Sequence, residues 1–234
     1  MKMQDLESAR PHAVAVPDEV SCLEEASRYA LLRRLAPALR HHLVGDFQPV
    51  GMIAAMMERR LQADQPDLAN IRNSCASLGR QSRAAAASCI ELMTWVSPQS
   101  ASTIKFDAGV LECLGLLSTE LGFKGFAIVN EVSGIDVEVS SSALRSVLSA
   151  ALIALSDQSA SSAKLVLRAH ATSESVQLLI DLQAVAGSVE QLGLAQYRLL
   201  NWRDVEVLAK AEKVKLGCSK GIAQLSFSRA SVAD

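Results

Sequence analysis

The fold is decided first by residues 68–96, which read LANIRNSCASLGRQSRAAAASCIELMTWV. Apolar or small residues recur in this stretch at alternating steps of three and four, at Leu68, Ile71, Cys75, Leu78, Ser82, Ala85, Cys89, Leu92 and Val96. Such spacing places these residues along one side of an α-helix. The pattern therefore predicts one long helix with a single apolar seam.

The residues before this stretch predict a second helix, antiparallel to the first. The segment from about Glu19 to residue 62 has a strongly helical composition, and ADQPD at 63–67 supplies a turn. Two long helices joined by a short turn form an antiparallel hairpin. Each helix also carries apolar residues beside its seam, such as Leu35, Phe47, Met56 and Ile90. Because one hairpin cannot bury them, we predict a homodimer in which two hairpins form a four-helix bundle.

The pattern changes after the linker SPQSAS at 97–102, where strands and helices begin to alternate. The predicted strands are TIKF, GFAIVNEV, AKLVLRAHA, SVQLLIDLQA and GIAQLSFSRA. The predicted helices are DAGVLECLGLLSTEL, with Asp107 as candidate N-cap, SSSALRSVLSAALIALSDQ and NWRDVEVLAKAEKV. This order favours an α/β sandwich with helices on one face of a mixed sheet, so the fold class is α+β.

The chain therefore divides into three parts. Residues 1–18 contain two prolines and no period, which predicts a flexible tail. Residues 19–97 form the helical hairpin, which is the expected dimerisation domain. Residues 103–234 form the sandwich. No uncharged run reaches the roughly 18 apolar residues of a membrane span, so we expect a cytoplasmic protein without a membrane contact.

Composition argues against several kinds of site. Basic and acidic residues nearly balance, with a formal net charge of −2, which does not suit a nucleic-acid-binding surface. The five cysteines never form a C-x-x-C pair, so no metal or redox site is expected, and we predict reduced thiols in the core. Likewise, we interpret His170 as an ordinary strand residue, and Trp95 and Trp202 as packing anchors.

The residues that stand out chemically lie in RHHLVGDFQPVGM at 40–52. A heptad seam drawn through this helix uses Leu32, Ala36, Leu39, Leu43, Val50, Ile53 and Met57. It places His41 farthest from the seam and facing solvent, His42 on the flank, and Asp46 within the seam. An exposed imidazole on a rigid helix can accept a phosphoryl group. The alternative is a polar surface pair that happens to consist of two histidines.

This segment resembles the phosphoacceptor helix of two-component histidine kinases and of the dimeric bacterial histidine phosphotransferases related to them. His41 matches the acceptor and Leu43 the leucine that follows it, whereas His42 replaces the usual acid and Pro49 lies farther on. The resemblance implies that His42 or Asp46 acts as the base. Gln48 is a candidate hydrogen-bonding residue near His41. Candidate residues for binding a partner are Arg40, Phe47, Met52 and Met56.

The order of elements over residues 22–232 is also similar to that of these kinases, in which the sandwich binds ATP. The asparagines of the family's nucleotide site correspond to Ala150 and Ala154, and its D-x-G-x-G motif corresponds to Asp181 followed by LQAVAG. Gly187 and Gly193 stand apart from any G-x-G cluster. We therefore expect a degenerate domain that keeps the fold and binds neither ATP nor any other cofactor.

Three functions follow from the resemblance. The first is a histidine phosphotransfer protein, with residues 19–97 as its histidine phosphotransfer domain. His41 takes a phosphoryl group from a response-regulator receiver and passes it to another receiver. The receiver supplies the magnesium. This activity is that of a phosphotransferase acting through phosphohistidine without its own ATP hydrolysis. The second is a non-catalytic pseudokinase scaffold that binds a receiver or a sensor kinase and regulates it. The third is a divergent active histidine kinase.

Overall fold

The computed structural model describes residues 18–97, 102–185, 197–219 and 221–230. Most of the predicted N-terminal tail, most of the predicted linker, and the glycines Gly187 and Gly193 lie outside these ranges.

The predicted hairpin is present as helices α1 (Glu19–Leu61) and α2 (Leu68–Val96). Each helix begins at an aspartate N-cap, Asp18 for α1 and Asp67 for α2. The aspartate side chain accepts a hydrogen bond from the backbone N–H three residues later and so satisfies a free donor of the first turn. Contacts between the helices pair Arg60 with Ser74 and Asp46 with Ser88. The antiparallel order follows from these pairs. We call this hairpin the stem.

About half of the residues predicted for the apolar seam of α2 do lie between the two helices. On α2, residues 71, 78, 85 and 92 turn towards α1, whereas Leu68, Cys75, Ser82 and Val96 are exposed. Ser74 and Ser88 occupy the other seam positions. Their hydroxyl groups contact Arg60 and Asp46, which lets polar residues lie where an apolar pattern is expected.

The stem has two differently packed parts, which we call the proximal stem (residues 19–42) and the distal stem (residues 43–61 and 68–90). In the distal stem the seam of α1 follows the predicted heptad, with residues 43, 46, 50, 53 and 57 partly buried. In the proximal stem the predicted seam residue Ala36 is exposed, and Leu31 and Leu35 are buried instead. The reason is that this part of α1 packs against the sandwich as well as α2.

The sandwich has a helical layer on one face of a five-stranded sheet of order β2-β4-β5-β7-β6. Strand β2 is parallel to β4 and the other neighbours are antiparallel, which confirms a mixed sheet. The strands of this sheet are β2 (Ala127–Asn130), β4 (Ala163–Ala171), β5 (Ser175–Ala184), β6 (Lys215–Ser219) and β7 (Ile222–Ser228). A separate antiparallel pair joins β1 (Thr103–Lys105) to β3 (Glu138–Ser140).

The helical layer consists of α3 (Phe106–Phe123), α6 (Trp202–Ala211), and a third segment that the sequence predicts as one helix. This third segment contains α4 (Ser141–Ala143), a π-helical turn (Leu144–Leu148) and α5 (Ser149–Gln158). The predicted N-cap role of Asp107 is wrong. The N-cap of α3 is Lys105, and the Asp107 carboxylate instead accepts the neighbouring N–H of Ala108, inside the first turn.

The cysteines also differ from expectation, because their environments are not uniform. Cys113 is buried in the core, and burial raises the pKa of its thiol to about 12. Cys89 is half-buried, whereas Cys22, Cys75 and Cys218 are exposed. The prediction of core thiols therefore holds for Cys113 and is wrong for the three exposed residues.

Candidate functional site

The candidate site is a cleft between the proximal stem and the sandwich, with a volume of about 730 Å³. On the stem side it is lined by Arg34, Pro37, Ala38, His41 and His42. The opposite wall belongs to α3, the end of α5 and residues 197–199. The cleft forms where α1 continues beyond the residues that pack against the sandwich, which leaves a space between α1 and α3.

His41 and His42 both have exposed side chains on α1, so the expected exposure of His41 is confirmed. Their surroundings were not expected from the sequence. Both imidazoles line the cleft and therefore face the sandwich across it rather than open solution on every side. A group bound to the sandwich, or a partner that contacts stem and sandwich together, would meet them there.

The floor of the cleft is a buried ion-pair cluster centred on Asp157, whose side chain is only 1% exposed. This carboxylate accepts hydrogen bonds from Arg34 of α1, from Lys124 Nζ at 2.7 Å, and from the backbone N–H of Leu200 at 3.0 Å. Arg34 Nη2 also donates to Glu120 Oε1 at 2.8 Å. Charges from the stem and from the sandwich are thus paired in one cluster.

The pKa of Asp157 is set by two opposing effects. Burial alone raises the pKa of the carboxyl group, but hydrogen bonds from Arg34 and Lys124 favour the charged form and leave it below the usual range. For Arg34, burial acts against the charge, yet the same bonds and that to Glu120 leave its pKa raised. Both shifts favour the ionised pair, so the cluster stays charged at neutral pH.

Further polar contacts fix the proximal stem to α6. Ser27 Oγ donates to Asp204 Oδ1 at 3.1 Å, and Arg198 makes two hydrogen bonds to the same carboxylate. Asp204 also completes the capping box at the start of α6 with Asn201. Near the other end of α6, Arg28 Nη2 donates to Glu212 Oε1 at 2.8 Å.

The end of α2 is fixed to the sandwich by a third group of residues. The Trp95 indole N–H donates to Glu112 Oε1 at 2.8 Å, and the Arg145 guanidinium lies over the indole ring at 5.3 Å from its centroid. Arg145 also pairs with Glu112 and donates to Thr94 Oγ1. The buried Trp95 and the half-buried Trp202 confirm that both tryptophans act in packing.

The other predicted site residues do not all lie in the cleft. Asp46 lies between the stem helices, where its carboxylate accepts a hydrogen bond from Ser88, and it is not among the cleft residues. Its contact is therefore with α2. Met56 is half-buried, whereas the remaining predicted residues are exposed on α1, namely Arg40, Phe47, Gln48 and Met52.

The positions that correspond to the nucleotide motifs have particular surroundings. Ala150 and Ala154 are both completely buried in α5, so neither position faces a cavity. Asp181 lies within β5, where its Oδ2 accepts a hydrogen bond from Gln183 Nε2 at 2.7 Å. These described positions thus belong to the core and the sheet.

The sequence did not reveal the floor of the cleft. Arg34 and Asp157 are 123 positions apart, and each resembles a routine charged residue next to an apolar run. A signal did exist, because Arg34 falls between the apolar Leu31 and Leu35 on the buried side of α1. A charge at such a position requires a partner of opposite sign.

The described ranges contain neither a metal-binding cluster nor a membrane-spanning helix. No group of three or more His, Cys, Asp or Glu side chains in them is arranged to hold a metal ion. None of the helices in the same ranges is both long and apolar enough to cross a membrane.

Comparison with known proteins gave structural neighbours only; no family model and no curated protein matches the chain. The Acinetobacter baumannii histidine kinase AdeS is 15% identical, with a TM-score of 0.42, over 77% of this chain and 96% of that one. A histidine kinase from Burkholderia phymatum STM815 is 14% identical, with a TM-score of 0.39, over 94% and 100%. Histidine kinase ThkA, in complex with the response regulator protein TrrA, is 12% identical, with a TM-score of 0.40, over 93% and 68%.

Proposed function

We propose that this chain is a two-component signalling protein in which His41 accepts a phosphoryl group and passes it on. The observation that carries the proposal is an exposed imidazole on a helix that buried ion pairs fix to the sandwich. A nucleophile held on a rigid element can be approached in line without reorganising its support. The resemblance of residues 40–52 to phosphoacceptor helices supports the same residue.

The phosphoryl donor in this proposal is the aspartyl phosphate of a response-regulator receiver. A nitrogen of His41 attacks phosphorus, the P–N bond forms, and the bond to the receiver's carboxylate oxygen breaks. A second receiver reverses the step and takes the group from phosphohistidine. The receiver's magnesium balances the charge on the phosphoryl oxygens, so this chain needs no metal of its own.

Neighbouring residues have supporting roles in the proposal. His42 lines the same cleft and is the proposed proton acceptor beside His41. Gln48 and Met52 follow His41 by seven and eleven positions, which places them on the same face of α1 for contact with the receiver. Arg40 and Phe47 are exposed beside that face, where Arg40 attracts an acidic partner. The proposal gives the role of base to His42 rather than to the other candidate, Asp46, whose carboxylate accepts a hydrogen bond from Ser88 between the stem helices.

The test is phosphotransfer from purified receivers that have been phosphorylated with a small phosphodonor. The wild-type chain should gain an acid-labile label, and His41→Ala should lose at least about 99% of it, since the imidazole that forms the P–N bond is absent. His170→Ala is the matched control, because His170 is also exposed but lies on β4. Full labelling of His41→Ala would remove the acceptor assignment.

The second candidate is a divergent histidine kinase. It is favoured by the position of His41 on a cleft that faces the sandwich, because a donor bound to the sandwich would reach the imidazole across it. Labelling of His41 by ATP and magnesium without a receiver would support this candidate over transfer from a receiver. The burial of Ala150 and Ala154 leads us to expect no such labelling.

The third candidate is a scaffold that binds a receiver or a sensor kinase without chemistry. It predicts that no phosphohistidine forms with any receiver. It also predicts that the affinity for the receiver is the same in the wild type and in His41→Ala.

We also propose that the distal stem forms a four-helix bundle with a second copy. Besides the proposed receiver contacts Phe47 and Met52, apolar side chains that are about half or more exposed occur on both of its helices: Val44, Leu61, Leu68 and Ile90. Exposed apolar side chains that recur along both helices of a hairpin favour an interface with a second copy. Light scattering should give twice the chain mass of 25.0 kDa. Ile90→Lys should halve it, while Leu111→Lys, at an exposed leucine of α3, should not.

A further inference from the structure

We infer that the cleft beside His41 binds a small organic acid with an apolar body, and that this ligand covers the acceptor imidazole. The binding itself does not depend on phosphotransfer, whereas control of His41 by the ligand rests on the proposed function. The inference is drawn from the size of the cleft, its lining and the charges around it.

The size and lining of the cleft suit a small molecule. A volume of about 730 Å³ falls within the range of about 300–1,000 Å³ that is usual for ligand pockets. Its walls are largely apolar, and Phe123 is 89% exposed at the cleft although it is a large aromatic side chain. The other apolar wall residues are Pro37, Leu116 and Leu199. An apolar body would cover surfaces that water now contacts.

The charges around the cleft favour an anionic ligand. Within its lining, Arg34 and Lys124 are balanced by Glu120 and Asp157, with which they are paired. The two imidazoles add hydrogen-bonding groups and no negative charge. Beyond the lining, Arg33 stacks on the cleft residue Tyr197 at 4.6 Å, and Arg40 is exposed next to His41. These two arginines add positive charge beside a lining whose own charges are balanced, which complements a single acidic group.

The cleft is already formed in the absence of a ligand, because its floor is held by buried contacts. Asp157 joins α1, the end of α3 and Leu200, so the two walls are fixed relative to each other. A preformed site loses little conformational entropy on binding. A ligand seated on this floor lies against His41 and His42, which are part of the same lining.

Two positions on α3 allow a matched test. A Cβ added at either Gly115 or Gly122 meets nothing within 4 Å, so both sites accept a side chain without a clash. Gly115 lines the cleft and Gly122 does not. Gly115→Phe should therefore occupy part of the cleft and obstruct it, while Gly122→Phe places the same side chain on the same helix outside it.

The probe is 8-anilinonaphthalene-1-sulfonate, which combines an aromatic body with one acidic group. We expect one site per chain on the folded full-length protein, and an affinity at least about tenfold lower for Gly115→Phe than for Gly122→Phe. A neutral naphthylamine of the same shape should bind more weakly than the sulfonate. The double variant Arg33→Gln, Arg40→Gln should reduce that difference.

Equal sulfonate affinities in the two glycine variants would overturn the inference. So would a preference for the neutral probe. A loss of receiver binding in Gly115→Phe with unchanged probe affinity would assign the cleft to the protein partner and overturn it as well. If labelling of His41 fails altogether, the probe experiment still decides whether the ligand site exists. Where labelling succeeds, a saturating probe should slow it in the wild type and leave Gly115→Phe unaffected.

Discussion

The proximal and distal stem belong to the same two helices, yet they are packed in opposite ways. All four buried residues of α1 lie in the proximal stem, namely Ser27, Leu31, Arg34 and Leu35. In the distal stem the same helix exposes Val44, Phe47 and Met52. One part packs against the sandwich of the same chain, and the other exposes the apolar residues that we propose for contact with a second molecule. His41, the proposed acceptor, lies where these two parts meet.

The largest expected difference between the two parts comes from the ion cluster under the cleft. Asp157→Asn removes the buried charge that pairs with Arg34 and Lys124 and leaves the half-buried Glu120 as the acidic neighbour of both. We expect a loss of about 3 kcal/mol in the free energy of unfolding, measured by urea denaturation. Asp136→Asn is the control, since its pair with Lys105 is exposed and should be worth less than about 1 kcal/mol. Equal losses would contradict the burial of the cluster.

A slightly smaller effect separates two leucines of α1. Leu35→Ala leaves a cavity where the proximal stem meets the sandwich, because this side chain is 1% exposed. The expected loss is about 2.5 kcal/mol. Leu61→Ala, at the far end of the distal stem, should cost less than about 1 kcal/mol because that leucine is half-exposed. Urea denaturation at a fixed protein concentration compares them, and a larger loss at Leu61 would mean that the distal end is the better-packed part.

Acid should loosen the proximal stem through Asp157. The folded-state pKa of this group lies below its unfolded value, so its stabilising effect is complete above the unfolded pKa of about 4 and is lost as pH falls through the folded value. The difference in unfolding free energy between wild type and Asp157→Asn should stay constant from about pH 7 to pH 5 and shrink below about pH 4. A difference that shrinks above pH 6 would show that Asp157 is not the ionised partner.

The smallest expected effect concerns glycine in the distal stem. A Cβ at Gly51 of α1 meets nothing within 4 Å, so Gly51→Ala should raise the free energy of unfolding by about 0.5–1 kcal/mol. Gly109→Ala of α3 should do the opposite, because its Cβ would overlap Leu144. If Gly51→Ala destabilises the protein, a second copy packs against this surface of the stem and leaves no room for the added methyl group.

Much of this fold could be predicted from local patterns. The bounds of α2, β4 and β5 agree with the sequence prediction, because these elements are long and their apolar periods are regular. Strands β3 and β6 were not predicted, since each is short and β6 contains Lys215 and Gly217 instead of an alternating apolar pattern. Short strands of this kind depend on pairing with distant neighbours.

The candidate site was predicted only in part, for a similar reason. Heptad spacing along α1 correctly gave the exposure of His41 and the seam position of Asp46. It could not give the cleft, which forms only when residues 34–42 meet α3 and Asp157 in the folded chain. The spacing of apolar residues identifies the faces of a helix. Which other element packs against each face depends on contacts between residues far apart in the sequence.

The indole of Trp95 gives this chain an optical reporter. The two tryptophans of the sequence are Trp95, which lies under Arg145 where α2 joins the sandwich, and Trp202, at the start of α6. Detachment of the hairpin from the sandwich would expose Trp95 and shift its emission to longer wavelength. Fraying of the far end of the hairpin, around residues 50–80, would leave the emission unchanged. Fluorescence and circular dichroism therefore monitor different parts of this molecule during unfolding.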